Sequence, residues 1–210
     1  MGMDATLASL CLLIGFVYII VPGPIFFSLM GLIAHRGKRS GCRLIAGCLL
    51  GDLGWTVIAM TSLISSSLLD PRLFLALNAA CGAYLIWLAI KALRATGGTH
   101  NETLNTRRPL RRGIALGVFN PKSYPVLMSL LAGFIGPYLQ APSWMQALAI
   151  FGWIAASMIG TYGLFVLACA LPLIKRMFLQ HTVLVSRLVG LLFLFFGASL
   201  LTKLAENLLS

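Results

Sequence analysis

Residues 43–66 read RLIAGCLLGDLGWTVIAMTSLISS. One base, Arg43, opens the stretch, and one acid, Asp52, lies inside it. A helix needs about 20 mostly apolar residues to cross the hydrocarbon core of a bilayer. This stretch is long enough, and it is too continuously apolar for a barrel strand, whose pattern would alternate over about ten residues. At 1.5 Å per residue Asp52 sits about 15 Å into the span.

Five further stretches repeat the pattern: 5–34, 73–93, 113–136, 144–171 and 183–204. The breaks between them have chemical causes. Residues 35–43 are charged and carry glycine, 65–72 end in Asp70-Pro71-Arg72, and 94–112 are polar with Gly97-Gly98 and Pro109. Gly136-Pro137 and Pro142 bracket a short loop, and Pro172 to His181 holds Lys175 and Arg176. Composition agrees. Of 210 residues, 59% are hydrophobic and only 10% charged, where a soluble domain carries about 25% charged residues. Mean hydropathy is +0.94. Backbone groups in lipid must be paired within the protein, which favours helices over open sheet.

The expected fold is therefore an all-α integral membrane protein with six transmembrane helices, forming one membrane domain over 1–210. The longest polar stretch, 94–112, is too short to fold alone. The start carries Asp4 and no Lys or Arg before Arg36, unlike the basic n-region of a signal peptide, so 5–34 is read as a retained first helix.

The net charge is +11. A basic chain can bind nucleic acid, but these bases lie in runs between apolar stretches and no polar domain is present to carry such binding. The first loop holds Arg36, Lys38, Arg39 and Arg43, the third Lys91, Arg94, Arg107, Arg108, Arg111 and Arg112, and the fifth Lys175, Arg176 and Arg187. The second has only Arg72 and the fourth none. The positive-inside rule puts the odd loops in the cytoplasm and both termini outside. The run from Arg107 to Arg112 can also touch anionic membrane lipids.

The halves, about 1–93 and 113–210, are joined by the basic loop 94–112, and with three spans each the second must insert inverted. Val21-Pro22-Gly23-Pro24 interrupts the first helix, and Asn120-Pro121-Lys122 the fourth. Proline removes a backbone donor and leaves a carbonyl unpaired. Paired broken helices in inverted halves point to a transport site; the plainer alternative is a pair of kinks. Asp52 is costly inside a membrane, about 2.5 kcal/mol or more on insertion scales. It can bind a substrate ammonium, take up a proton because burial disfavours its charge, or serve a neighbouring helix as a structural partner. Lys122 lies at similar depth. It can pair with Asp52, hold a carboxylate, or snorkel to the headgroups. Tyr84 and Tyr124 can line such a site or simply pack. Gly47-x-x-x-Gly51 and Gly113-x-x-x-Gly117 permit close helix contact.

Other chemistry finds little footing. Cys11, Cys42, Cys48, Cys81 and Cys169 form no C-x-x-C pair, and His35, His100 and His181 have no Cys or Asp partner at ligand spacing, so neither a metal site nor a disulfide framework is expected. No nucleophile elbow or phosphate-cradling loop occurs. The chain is read as a non-enzyme without cofactor, and without an ATP signature its energy source is an ion gradient or exchange.

These residues bear a family likeness. Pro22-Gly23-Pro24, the glycines 37, 41, 47 and 51 leading to Asp52, Gly82-Ala83-Tyr84-Leu85, Phe119-Asn120-Pro121-Lys122, and the pair Gly190 and Gly197 together resemble the lysine-exporter and homoserine/threonine-efflux family of bacterial amino-acid exporters. The resemblance implies export of an amino acid from the cytoplasm, driven by the proton-motive force, in a bacterial inner membrane. It also implies a homo-oligomer, most simply a dimer. Carried over, the site residues are Pro22, Gly23, Pro24, Asp52, Asn120, Pro121 and Lys122. Two features depart from the pattern: Pro125 threatens a second break in the fourth helix, and Cys48 and Cys81 place thiols near the motifs. With one deep acid, a dicationic substrate would lack a second partner, so a neutral or homoserine/threonine-like amino acid is expected over lysine. A metal or small-ion exporter of the wider superfamily and a non-transport assembly subunit are the alternatives.

Overall fold

The structure, a computed structural model, describes residues 4–21, 23–65, 71–94, 108–120, 122–139 and 142–209. Among them the chain is helical throughout, without a strand. The helices are α1 (Ala5–Ile20), α2 (Pro24–Arg36), α3 (Lys38–Ile64), α4 (Pro71–Leu93), α5 (Pro109–Val118), α6 (Ser123–Leu130), α7 (Trp144–Cys169), α8 (Pro172–Gln180) and α9 (Thr182–Leu209). A π-helical turn, Leu131–Ile135, and a 3-10 turn, Gly136–Leu139, extend α6.

Among the described residues two helices, Lys38–Ile64 and Trp144–Cys169, are long and apolar enough to cross a membrane. Ala5–Ile20, Gly82–Leu93 and Ser186–Ser199 are shorter apolar stretches. The outward faces suit lipid. Leu50, Val57 and Ile58 on α3, Leu148, Ile159 and Leu164 on α7, and Leu191 and Phe195 on α9 are all exposed, and large exposed apolar patches mark membrane or protein contact surfaces.

The helix pairs are set by glycine. Along α3 and α5 the backbones touch: a Cβ on Gly47 would strike the Leu110 carbonyl, one on Gly51 would strike Gly117, and one on Gly113 would strike the Leu44 carbonyl. The two small-xxx-small motifs thus face each other. Helices α4 and α9 meet through Gly82 and Gly197, where a Cβ on Gly197 would come within 2.9 Å of the Gly82 carbonyl. Helices α1 and α7 meet at Gly15, beside Ser157 and the Ile154 carbonyl. The core collects one stripe from each long helix at four-residue spacing: Leu44, Cys48, Asp52 and Thr56 from α3, and Ile150, Ile154, Met158 and Tyr162 from α7. This is the helical period.

Several boundaries differ from those expected. The charged stretch 35–43 is not an open loop: Gly37 alone breaks the helix, at φ 76, and Lys38, Arg39 and Arg43 ride on the first turns of α3. Glycine is needed there because left-handed backbone strains other residues. Residues 172–180 form a short helix, since Pro172 suits a first turn. Helix α5 starts at Pro109 rather than at 113 for the same reason. Pro125 does not add a break. It lies in the first turn of α6, where its missing N–H would be unpaired in any case; a π turn follows at Leu131–Ile135. The expected polar loop lies largely outside the described residues, as do Arg107, Pro22 and Pro121.

Candidate functional site

The two helix breaks converge on Asp52. The carboxylate is fully buried in the middle of α3. Its Oδ1 accepts from the Tyr18 hydroxyl at 2.5 Å and from Ser123 Oγ at 3.2 Å. Its Oδ2 accepts from the Tyr162 hydroxyl at 2.5 Å. Tyr18 and Ser123 are themselves 2.7 Å apart at oxygen. One side chain therefore ties α3 to the last turn of α1, the first turn of α6 and the middle of α7. Short hydroxyl–carboxylate bonds of this kind are charge-assisted and strong.

Lys122 does not snorkel. It is buried just ahead of α6, and its Nζ donates to the Tyr18 carbonyl at 3.2 Å and to the Val21 carbonyl. The ammonium also lies 5.1 Å from the centre of the Tyr18 ring, within cation–π range. The reason is covalent. In an uninterrupted helix the Tyr18 carbonyl would accept from the amide of residue 22, but residue 22 is proline and has no N–H. Lys122 supplies the missing donor across the bundle. Asp52 and Lys122 therefore meet through Tyr18 rather than as a direct ion pair.

Gly23 is extended and caps α2, with Pro24 opening that helix. A Cβ on Gly23 would come within 3.0 Å of Lys122 Cδ, so the bare glycine lets the lysine stem pass. Asn120 is buried, and its Oδ1 accepts from the Lys122 amide at 3.4 Å. Its Nδ2 has no hydrogen-bond partner among the described residues. At the second break the Val118 carbonyl, left at the end of α5, accepts from Trp55 Nε1 at 3.0 Å.

The structure thus brings Gly23, Asp52, Asn120 and Lys122 to one place. Tyr84 stands elsewhere, on α4, in the wall of a cavity of about 500 Å³ shared with Trp55, Ile58, Ser62, Ala80, Tyr124 and Pro125. Its ring packs 5.5 Å from that of Trp87. Tyr18, Ser123 and Tyr162 were not foreseen from sequence. Two of the three carry a signal: Tyr18 lies four residues before Pro22, and Tyr162 puts a hydroxyl within an apolar span, where it needs a partner. Cys48 is buried one turn before Asp52, and no cluster of His, Cys, Asp or Glu among the described residues is fit to hold a metal.

An apolar-coated helical bundle with a charged, hydrogen-bonded centre at two broken helices has the make-up of a membrane transporter. Residues 16–204 match the LysE type translocator family, and the chain belongs to that family. It is 30% identical over 162 residues to the cysteine/O-acetylserine efflux protein of Escherichia coli (strain K12), covering 76% of this chain and 80% of that one. The protein of the same name from Escherichia coli (strain UTI89 / UPEC) is 31% identical over the same shares, and that of Shigella flexneri serotype 5b (strain 8401) is 30% identical. No solved structure matches the chain.

Proposed function

We propose that this chain exports a neutral amino acid, of the cysteine and O-acetylserine kind, from the cytoplasm across a bacterial inner membrane, driven by the proton-motive force. Amino-acid efflux follows from the family and its named relatives. The substrate is the finer step, and two facts support it. The relatives are named for neutral amino acids. Asp52, the one acid deep in a span, already receives three hydroxyls, which leaves little for a second substrate cation.

The observation that carries the reading is the joint burial of Asp52 and Lys122 between the two breaks. Asp52 is the group to take up and release the coupling proton, because its charge holds four helices together and neutralising it would loosen them. Gly23, Asn120 and Lys122, with Pro22, Pro24 and Pro121 shaping the backbone, form the substrate station. Tyr84 stands as an outer wall of the route.

The architecture proposed is six spans in two inverted halves, about 1–93 and 113–210. The packing supports it. Exchanging the halves turns α1, α3 and α4 into α5, α7 and α9. The α3–α5 seam then becomes the α7–α1 seam, and the α4–α9 seam maps onto itself. A homodimer bathed in membrane lipid, with both termini outside, completes the reading.

The test is efflux from cells loaded with labelled cysteine, O-acetylserine, threonine or lysine, with and without the chain. Export of one or more neutral amino acids is expected. Export of lysine alone would overturn the substrate proposal.

A further inference from the structure

We infer that the ammonium of the substrate binds on the carbonyl oxygens of Tyr18 and Val21, where Lys122 now sits, and that the substrate carboxylate draws Lys122 away from them. Asp52 does not carry the ammonium. The inference rests on the amino-acid export proposed above and names the part of the site that reads each end of the zwitterion.

Four observations converge. First, the open end of α1 is built to receive a cation. Pro22 deprives the Tyr18 carbonyl of its helical donor, Val21 lies just past the last residue of the helix, and the C-terminal end of a helix carries about half a negative charge. Second, a primary ammonium is already seated there. Lys122 Nζ bonds both carbonyls and lies 5.1 Å from the centre of the Tyr18 ring. Two carbonyls and an aromatic face make up a site for the R–NH₃⁺ group, whichever molecule supplies it.

Third, Asp52 is poorly placed for this task. An ionised carboxylate offers about four lone-pair positions, and Tyr18, Ser123 and Tyr162 fill three. One position is left, on Oδ2 beside the Tyr162 hydroxyl held at 2.5 Å, whereas Tyr18 and Val21 offer an ammonium two carbonyls and a ring face. Fourth, an anion has a reception prepared beside Lys122. Asn120 Nδ2 is buried without a partner among the described residues, two positions from the lysine. A carboxylate that captures Lys122 can also accept from Asn120. The bare Cα of Gly23 lets the lysine stem swing, since a Cβ there would meet Cδ at 3.0 Å.

The zwitterion therefore performs an exchange. Its carboxylate removes the internal ammonium, and its own ammonium takes the vacated carbonyls. No buried charge is left unpaired at either stage, which such a site requires. An amino acid lacking either group cannot complete the exchange. A second ammonium, as in lysine, finds no further partner.

The experiment is a ligand–protein double-mutant cycle on the lipid-reconstituted full chain. The probes are L-cysteine, 3-mercaptopropionate (no ammonium) and cysteamine (no carboxylate), and the proteins are wild type, Asp52→Asn and Lys122→Met. Wild type should bind cysteine at least about tenfold tighter than either probe, and in Asp52→Asn the ratio to 3-mercaptopropionate should hold within about threefold. In Lys122→Met the ratio to cysteamine should collapse while the ratio to 3-mercaptopropionate persists. Collapse of the 3-mercaptopropionate ratio in Asp52→Asn would place the ammonium on Asp52 and overturn the inference. Should Asp52→Asn not fold, Tyr162→Phe serves, because it frees one oxygen of Asp52. An unchanged ratio supports the carbonyl site, and a change of about tenfold or more sinks it. Wild type that binds cysteine no better than either probe overturns the inference alone. Wild type that binds no amino acid removes the export reading, and this inference with it.

Discussion

The Tyr18 hydroxyl donates to Asp52 at 2.5 Å while the Tyr18 carbonyl accepts from Lys122 at 3.2 Å. One residue thus joins the buried acid to the buried base, and it lies on the last turn of the first broken helix. Any change in the protonation of Asp52, or in the position of Lys122, is felt at the end of α1. Coupling between a proton and a substrate needs such a shared element.

Tyr162 is the described donor to Asp52 Oδ2. Tyr162→Phe leaves that buried oxygen unpaired and should destabilise the protein by about 1–3 kcal/mol. Transport should fall further than stability alone explains. Thermal unfolding in micelles and flux in vesicles check the two effects. Tyr138→Phe, at an exposed position, should change neither.

The glycine seam makes a sharper claim. Gly113→Val drives a side chain into the Leu44 carbonyl and should cost at least about 1–3 kcal/mol. The yield of folded, monodisperse protein should fall. Gly54 has nothing within 4 Å of its Cβ position, so Gly54→Ala should be tolerated or slightly stabilising, as alanine is the better helix former. Equal damage from both would mean that α3 and α5 are not in backbone contact.

Much of this was legible in the sequence, for physical reasons. Length and hydropathy gave helices, Pro22 and Pro121 marked the breaks, and the cost of a charge in lipid singled out Asp52 and Lys122. The glycine motifs announced close seams. The partners of Asp52 were harder to see. Tyr18 and Tyr162 lie 34 and 110 residues from it, and no local pattern encodes which hydroxyl a folded bundle delivers to an acid. Charge suggests a loop at 35–43 and at 172–181, but helices extend past the apolar stretch that packs them, leaving a tight turn at Gly37 in the first and a helix over 172–180 in the second. By resemblance Tyr84 belongs with the motif residues, and the packing of α4 puts it in a different wall.

Cys42 reports orientation. It is exposed near the start of α3, beside Lys38, Arg39 and Arg43, while Cys11, Cys48 and Cys169 are buried. In a variant keeping Cys42 alone, a membrane-impermeant maleimide should label inside-out vesicles and spare right-side-out ones. A reporter active only in the cytoplasm, fused to the C-terminus, should stay silent. Labelling from the outer face would invert the proposed topology.

Trp55 holds the second break by donating to the Val118 carbonyl. Trp55→Phe keeps the ring but loses this bond, and should lower stability by about 0.5–1.5 kcal/mol. Trp153→Phe, at an exposed position on α7, should be close to neutral. Unfolding of the two variants side by side decides the point.

The central claim is gradient-driven export through a site that depends on Asp52. Its most direct test is flux of labelled cysteine in proteoliposomes under an imposed pH gradient, comparing wild type with Asp52→Asn. The prediction is gradient-dependent movement by wild type and its loss in a folded Asp52→Asn protein that still binds cysteine. Equal gradient-driven flux in both proteins would contradict the claim.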